Sequence, residues 1–273
     1  MSAAAHKRRV RLARREFRLF RRAARELLLN VLCRLQIVAR AGARQLGTDA
    51  RRRDDQQMSL SLLDWRRTVT GLYRDVRESI DNGQDPAIAH RQWRAVRDEL
   101  FARHPDSPLL PDDRTRFGGL AYAPYDPELR WVLPMDNDVS PEMLRVQTGT
   151  DGTVEFKRIG RLRIPGGRGQ LDVWWLTGYG GGIFVPVKDG LAGGATYGGG
   201  RYLLDTVKGA DLGGSVGDGT LVVDLNFCYQ PSCAYDPAWA CPLAPPGNTL
   251  SVDVYAGELY VASEFSGELD AAS

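Results

Sequence analysis

The feature that most constrains the fold is a change of hydrophobic period near residue 117. Before this point apolar residues recur every three or four positions, whereas after it they alternate in short runs separated by glycine-rich turns. The runs are "RWVLPM", "MLRVQTGTDGTVEFKRIGRLRI", "QLDVWWLT", "GIFVPVK", "RYLLDTV", "TLVVDLNFCY" and "TLSVDVYAGELYV". Because no long helix separates them, residues 115–262 are predicted to form a mainly antiparallel β-sandwich or barrel-like domain. Asp151-Gly152 predicts a hairpin turn, because both central positions of such a turn need positive φ.

Two short helices are predicted to precede the β domain as a helical hairpin over residues 58–104. In the first, an apolar stripe recurs at helical spacing and Gly83 gives a stop signal. In the second, Asp85 is an N-cap in front of Pro86, and His104 stands before the proline that ends the helix. Its expected buried face consists of Ala89, Trp93, Val96 and Leu100. The predicted fold class is therefore α+β, and the proline-rich "PDSPLLPDDR" is expected to be a connection.

Residues 1–57 form a basic arm in front of an acidic body. The arm contains 15 arginines, one lysine and five acidic residues, which gives it a net charge of +11. The whole chain has a net charge of +2, so the rest of the chain has a net charge of −9. Its apolar residues recur at steps of three and four, which predicts an amphipathic basic helix. Such a helix suits an anionic membrane or partner surface, and the alternative is a dispensable extension before Met58. Residues 263–273 are expected to be a tail.

No stretch of the sequence predicts a transmembrane span. The most apolar N-terminal stretch, "LLLNVLCRLQIVA", is interrupted by Asn30, Arg34 and Gln36 and is shorter than the roughly 18 apolar residues required. A secretory signal is also disfavoured, because Arg34 lies where small residues should prepare cleavage. The protein is therefore expected in the cytoplasm, where free thiols are the ordinary state.

Three of the cysteines, Cys228, Cys233 and Cys241, lie in a stretch rich in proline and aromatic residues. Zinc is disfavoured, because the spacings are loose and every histidine precedes the β region. A disulfide between Cys233 and Cys241 would close a short loop, but a reducing cytoplasm opposes it. A cysteine nucleophile would need His90 or His104 as its base. The remaining alternative is a stiff loop that clasps the β domain, and no metal or cofactor is predicted.

The strand predicted over "LVVDLNFCY" places Asp224, Asn226 and Cys228 on one face and apolar residues on the other. This polar face is either solvated, as is common in antiparallel sheets, or the floor of a cleft. Acid/base chemistry would require two converging carboxylates, and the candidates are Asp224 and Glu258. Glu258 could instead accept backbone hydrogen bonds in a turn.

The glycine-rich runs "GYGGGIF" and "GGATYGGGRYLLDTVKGADLG" lack the features of a nucleotide-binding loop. No Gly-Lys-Ser/Thr follows, and the next element is predicted to be a strand and not a helix. Glycine is therefore expected to supply tight turns between strands. The nearby alternating charges are Arg201, Asp205, Lys208 and Asp211. They are expected to be solvated ion pairs or, at Arg201 and Lys208, a site for a small anionic ligand.

Several motifs resemble a bacterial domain-of-unknown-function family, number 1684, over about Trp65 to Glu258. These motifs are the Gly-Gly-Arg-Tyr run that ends at Tyr202, the Asp-x-Asn of Asp224 and Asn226, "PSCAY", "CPL", Asn248 and the Ala-Gly-Glu at residues 256–258. The chain departs from the family at Leu225, Cys228 and Gln230, where the family usually has Phe, Ala and Asn, and at Leu259, where a lysine often stands.

The resemblance implies that Cys228 is incidental and leaves Cys233 and Cys241 as the cysteines of interest. We assign these two cysteines and Asn248 a structural role. The resemblance implies no established activity, substrate or cofactor.

The residues support two functional hypotheses. The first is a non-enzymatic β-rich small-ligand-binding or scaffold domain, with a ligand cleft formed by Arg201, Tyr202, Asp205, Lys208, Asp224 and Asn226. The alternative is a metal-independent hydrolase that uses Asp224 and Glu258 as acid and base. The sequence identifies neither the ligand nor the oligomeric state.

Overall fold

Two helices form a hairpin ahead of two antiparallel sheets. The computed structural model describes residues 60–147 and 152–261, so the predicted arm and tail lie outside the described residues. The helices are α1 at residues 60–81, α2 at Pro86–Arg103 and the short α3 at Pro111–Arg116. The strands are β1 Arg130–Pro134, β2 Met143–Gln147, β3 Thr153–Ile164, β4 Gly169–Leu176, β5 Gly182–Val187, β6 Arg201–Asp205, β7 Gly214–Ser215 and β8 Thr220–Asp224. The predicted α+β class is confirmed.

Gly83 and Asp85 mark the helix ends as predicted, but the predicted buried face of α2 is only partly correct. Gly83 adopts φ 87° just after α1, and Asp85 caps α2 by accepting a hydrogen bond from the Ala87 backbone N–H at 2.8 Å. The prediction that Val96 is buried was wrong, because the side chain is 36% exposed and Arg97 is buried instead. The buried stripe of α2 therefore continues from Trp93 at a spacing of four residues and carries a charge into the core.

The prediction that "PDSPLLPDDR" is only a connection was wrong, because α3 begins within it. Pro111 stands in the first turn of α3, where its missing N–H costs nothing. Asp112 and Asp113 follow in the same turn, where a negative charge favours a helix N-terminus.

The strands form one sheet in the order β1-β8-β7 and another in the order β2-β3-β4-β5-β6, and every strand pairing is antiparallel. The larger sheet is open within the described residues, because β2 and β6 are its edges. Gln147 of β2 lies opposite Thr153 of β3, which confirms the predicted hairpin, although residues 148–151 of its turn lie outside the described part.

Two predicted strands end early or do not form. The strand through "TLVVDLNFCY" stops at Asp224, whose carboxylate accepts a hydrogen bond from the Asn226 backbone N–H at 3.1 Å and caps a single 3₁₀ turn at Leu225–Phe227. The run "TLSVDVYAGELYV" forms only isolated bridges, such as the one between Tyr122 and Glu258. The first prediction failed because the hydrogen bond of the Asp224 side chain to the backbone replaces the strand ladder there.

The main core lies between the helical hairpin and strands of both sheets. It combines Tyr73 and Trp93 of the helices with Leu203 of β6 and Val223 of β8. From Ser61 onward the described residues belong to one compact unit. No helix in the described part of the chain has the length and hydrophobicity to cross a membrane.

Candidate functional site

A buried ion pair joins α2 to the last described segment of the chain. Arg97 Nη2 lies 2.7 Å from Glu258 Oε2, and the Glu258 side chain is fully buried. Gln230 donates to the same carboxylate from its backbone N–H at 3.2 Å and from Nε2 at 3.0 Å, and Tyr235 donates through its hydroxyl. Burial raises the pKa of Glu258, and the charge of Arg97 opposes that shift.

The Arg97 guanidinium is held by aromatic rings as well as by Glu258. Its central carbon lies 4.9 Å from the centroid of the Trp93 ring, 5.2 Å from that of Phe101 and 5.0 Å from that of Tyr229. Its Nε donates to the Tyr122 hydroxyl at 3.0 Å. The bonds to Tyr122 and Glu258 thus use Nε and Nη2.

A cleft of about 100 Å³ opens beside this ion pair, between the helical hairpin and the segment that follows β8. Its aromatic wall consists of Trp65, Tyr73, Phe101, Tyr202, Tyr229 and Tyr235. Its polar lining includes Arg97, Lys208, Gln230, Ser232 and Cys241.

Two polar side chains of the lining differ in exposure. The Oε1 atom of Gln230 is buried and has no hydrogen-bond donor within the described residues, since only Nε2 of that amide is engaged. The Lys208 side chain is half-exposed, and its Nζ lies 3.5 Å from Asp205 Oδ2. The cleft therefore combines an aromatic wall with two cationic side chains, of which Lys208 is half-exposed.

The comparisons with known proteins place the chain in a family without an established activity. Residues 115–259 match the family described as Protein of unknown function (DUF1684). The chain belongs to this family. The DUF1684 region ends one residue after Glu258, whereas Arg97 lies before it, so the ion pair links the family region to the helical hairpin.

One similar solved structure is the solution NMR structure of an uncharacterized protein of Haloarcula marismortui. Its sequence is 31% identical, the match covers 61% of this chain and 89% of that chain, and the TM-score is 0.46. No curated protein matches the chain. The comparisons thus give a family and no substrate.

The ligand residues predicted from the sequence are divided between the cleft and the core of the DUF1684 region. Tyr202 and Lys208 line the cleft, and the Tyr202 hydroxyl donates to the Pro242 carbonyl at 2.7 Å. Asp205 caps the 3₁₀ turn at Thr206–Lys208 by accepting from the Lys208 backbone N–H at 3.3 Å. Asp205 therefore positions Lys208 and does not itself line the cleft.

Arg201 lies in the core and outside the cleft. Its Nη2 donates to Asp189 Oδ2 at 2.9 Å and to the Val254 carbonyl at 3.2 Å. Its Nη1 donates to the carbonyls of Glu258, at 3.0 Å, and of Ala256. Arg201 thus ties β6 to the segment that carries Glu258, and both terminal nitrogens are already engaged.

Asp224 and Asn226 are buried, and the prediction that they lie on a solvated face or a cleft floor was wrong. Asp224 accepts from the Tyr125 hydroxyl at 3.0 Å and from Asn226 Nδ2 at 2.8 Å. Asn226 Oδ1 accepts from the Asp126 backbone N–H at 2.8 Å. Burial raises the pKa of Asp224, and the hydrogen bond from Asn226 opposes the shift. The strand ends before Asn226, which is why the alternation of faces does not apply.

The carboxylates of Asp224 and Glu258 have separate hydrogen-bond partners. Asp224 is bound by Tyr125, Arg130 and Asn226, whereas Glu258 is bound by Arg97, Gln230 and Tyr235. Both are fully buried and neither lines the cleft. The hydrolase hypothesis gains no support from these positions.

The cysteines differ sharply in environment. Cys228 is fully buried, and burial raises its pKa to about 12. Cys233 and Cys241 are partly exposed free thiols. Within the described residues no three potential ligands among His, Cys, Asp and Glu come together as a metal site.

Asn248 is a buried bridge between the strands β4 and β5. Its Nδ2 donates to the carbonyls of Asp172, at 2.8 Å, and Pro186, at 2.9 Å. Its Oδ1 accepts from Trp174 Nε1 at 2.8 Å. These contacts favour the structural role that we assigned to it.

The sequence did not identify Arg97, Gln230 or, apart from Tyr202, the aromatic wall. Arg97 had one usable signal, because it stands four residues after Trp93 on the apolar stripe of α2. Gln230 was noted only as a departure from the family, and nothing local marks its unused acceptor.

Proposed function

We propose that the protein is a non-enzymatic binding domain that takes a small anionic ligand in the cleft beside Arg97. The observation that carries this proposal is the lining itself. The aromatic wall lies beside two cationic side chains, Arg97 and Lys208, and the Lys208 side chain is half-exposed. A ligand with a flat apolar portion and an anionic acceptor group would match both parts of this lining.

The charges of the cleft favour an anion. Arg97 is balanced by Glu258, whereas Lys208 is held only by a long, partly exposed contact with Asp205. Such exposed pairs contribute about 1 kcal/mol or less, so the ammonium group of Lys208 is free to turn toward a ligand carboxylate or phosphate. The aromatic wall would cover a flat apolar portion of the same ligand.

The size of the cleft favours a small ligand, or the end of a larger one. Its volume of about 100 Å³ is below the roughly 300–1,000 Å³ of pockets that enclose drug-sized ligands. It is closer to the ~150 Å³ of an engineered cavity that binds benzene. An aromatic carboxylate such as benzoate is therefore a suitable probe.

The test is an NMR titration of the full-length protein with benzoate and with its neutral analogue benzamide. We expect saturable shifts from residues of the cleft with benzoate, and weaker binding of benzamide. Lys208→Met should weaken benzoate binding about two- to fivefold, as expected for a partly exposed charge contact. The control is Lys157→Met, because Lys157 is exposed on β3 and is no part of the cleft lining.

The proposal fails if benzoate produces no saturable shifts in the cleft. It also fails if Lys208→Met and Lys157→Met change the affinity equally. Binding of residues 1–57 to an anionic surface and a cytoplasmic location remain predictions, because they concern the arm outside the described residues or the cell.

A further inference from the structure

His104 connects the first described turns of α1 to the turn that follows α2. Its side chain is only 9% exposed, and its ring centroid lies 5.1 Å from that of Trp65. Nε2 lies 3.6 Å from Asp64 Oδ2 on α1, and Nδ1 lies 3.8 Å from Asp106 Oδ2 in the turn. Two carboxylates from different segments of the chain therefore face the two nitrogens of one imidazole ring.

The neutral and the protonated ring of His104 cannot make the same hydrogen bonds. Nδ1 accepts a hydrogen bond from the Asp106 backbone N–H at 3.1 Å, so the ring in this arrangement is neutral and carries its proton on Nε2. Nε2 is the nitrogen that faces Asp64. A second proton, added at Nδ1, would turn this nitrogen into a donor and end the bond from the backbone N–H.

An acceptor for that second proton already lies near Nδ1. Asp106 Oδ2 is buried and has no hydrogen-bond partner in the part of the chain that the structure describes. A hydrogen bond between an imidazolium and a carboxylate is roughly twice as strong as the neutral bond that it would replace. It would also remove the cost of a buried oxygen without a donor. The charged ring would attract Asp64 as well, so protonation would strengthen both contacts.

The neighbouring cation on α2 points elsewhere. Arg103 is 78% exposed, and its Nη1 lies 3.1 Å from Glu99 Oε1, one turn earlier on the same helix. The neighbour from α1 other than Asp64 is the uncharged ring of Trp65. A proton on His104 would therefore be stabilised mainly by Asp64 and Asp106.

Trp65 links His104 to the cleft. Its ring lines the cleft, and its centroid lies 6.0 Å from that of Phe101. Asp64 is its neighbour in the chain, so a stronger contact between His104 and Asp64 would hold this turn of α1 more firmly against the end of α2. The position of one wall of the cleft would then depend on the charge of His104.

We propose that His104 is a pH-sensitive clamp between α1 and the turn after α2. The protonated ring binds Asp64 and Asp106 together and holds Trp65 in place, whereas the neutral ring leaves the first described turns of α1 more weakly attached. Histidine is the side chain whose charge ordinarily changes between about pH 5 and pH 8. The effect on ligand affinity rests on the proposed function, because it requires that the cleft binds an anion; the clamp itself does not.

The test of the clamp is hydrogen exchange of the full-length protein at pH 5.5 and pH 8, with each rate compared with the intrinsic rate at that pH. Backbone amides of residues 64–68 should be about two- to fivefold better protected at pH 5.5, as expected for partly exposed charge contacts. His104→Gln cannot take up the proton, so its protection should be the same at both pH values. Asp106→Asn should lose most of the pH dependence.

The matched control is Asp75→Asn. Asp75 is an exposed carboxylate of the same helix, 65% exposed and 2.9 Å from Arg74, and its replacement should leave the pH dependence intact. Amides in the interior of α2, residues 94–100, should stay protected in every variant, which checks that each variant is folded.

The second measurement is the affinity for benzoate at the same two pH values. Benzoate is ionised at both, so its own charge does not change. The wild-type protein should bind it about two- to fivefold more tightly at pH 5.5, and His104→Gln should bind it equally at both.

Two exchange results would overturn the clamp. One is equal protection of the wild-type protein at pH 5.5 and pH 8, and the other is a pH dependence that persists in His104→Gln. Benzoate affinity that does not change with pH would overturn the link to the cleft. If benzoate binds at neither pH, the proposed function fails and the effect on affinity fails with it, while the exchange results still decide whether the clamp exists.

Discussion

Replacement of Arg97 by Met tests whether the ion pair at the junction of α2 and the DUF1684 region is as tightly coupled as its geometry indicates. Methionine keeps an unbranched apolar side chain against Trp93 and Phe101 but removes the partner that lies 2.7 Å from Glu258. The fully buried carboxylate is then left without its countercharge. Removal of one member of a buried pair costs about 3–5 kcal/mol, because the remaining charge is uncompensated.

The loss of stability in Arg97→Met should depend on pH, and the environment of Glu258 determines the direction of this dependence. Burial already raises the pKa of this carboxyl, and Arg97 opposes the rise, so Arg97→Met should raise the pKa further. A carboxyl whose folded pKa exceeds its unfolded value of about 4.3 binds its proton more tightly when folded. Its stabilising contribution is fully present below the unfolded pKa and is lost as the pH rises through the folded pKa. Each unit of additional rise corresponds to about 1.4 kcal/mol.

The assay is urea denaturation followed by tryptophan fluorescence at pH 5 and pH 8. We expect Arg97→Met to lose about 3–5 kcal/mol at pH 8 and clearly less at pH 5. The double variant with Glu258→Gln should recover part of the loss at pH 8, because it removes the stranded charge. Arg91→Met, at an exposed position of α2, should change stability by no more than about 0.5 kcal/mol. A loss below about 1 kcal/mol at pH 8, or an equal loss at both pH values, would refute the reasoning.

Two further substitutions test the polar contacts that define the fold. Asn248→Ala leaves the Trp174 N–H and two buried carbonyls without their partner, so the free energy of unfolding in urea should fall by about 3 kcal/mol, and an unchanged value would contradict the bridging role. Asp85→Ala removes the cap of α2 and should cost about 1 kcal/mol in the same measurement. The control is Asp81→Ala, at the C-terminal end of α1, which should not destabilise, because a negative charge is unfavourable at a helix C-terminus.

The helices and most strands could be predicted because their signals are local. Asp85, Pro86 and Gly83 fix the helix ends through capping and φ preferences, and the alternation of apolar residues fixes the strands. Prediction failed where a side chain bonds to the backbone two residues away. Asp224 caps the turn at Leu225–Phe227, and no hydrophobic pattern distinguishes that turn from a continued strand.

The site could be predicted only in part, because its members are far apart in sequence. Tyr202 and Lys208 were identified from their own neighbourhood and lie in the cleft. Arg97 and Glu258 are 161 positions apart, so nothing near Arg97 shows that a charge on the apolar stripe has a partner. An arginine at such a position can lie exposed at the border of the buried face or can pair with a buried carboxylate, and the local sequence does not distinguish the two.

Because Arg97 and Glu258 are far apart in sequence, the DUF1684 region depends on the helical hairpin for a buried contact. The region carries Glu258, but the countercharge comes from α2. At the turn after β6, Gly209 adopts φ 89°, and a Cβ there would lie 2.6 Å from Thr70 Oγ1 of α1. Both helices therefore contact the family region at points that tolerate little displacement.

The cleft lies at this junction, with Trp65 on one side and Gln230 on the other. A ligand that contacts both sides would stabilise the docked hairpin by its own binding free energy, and loss of Arg97 would weaken ligand binding and folding together.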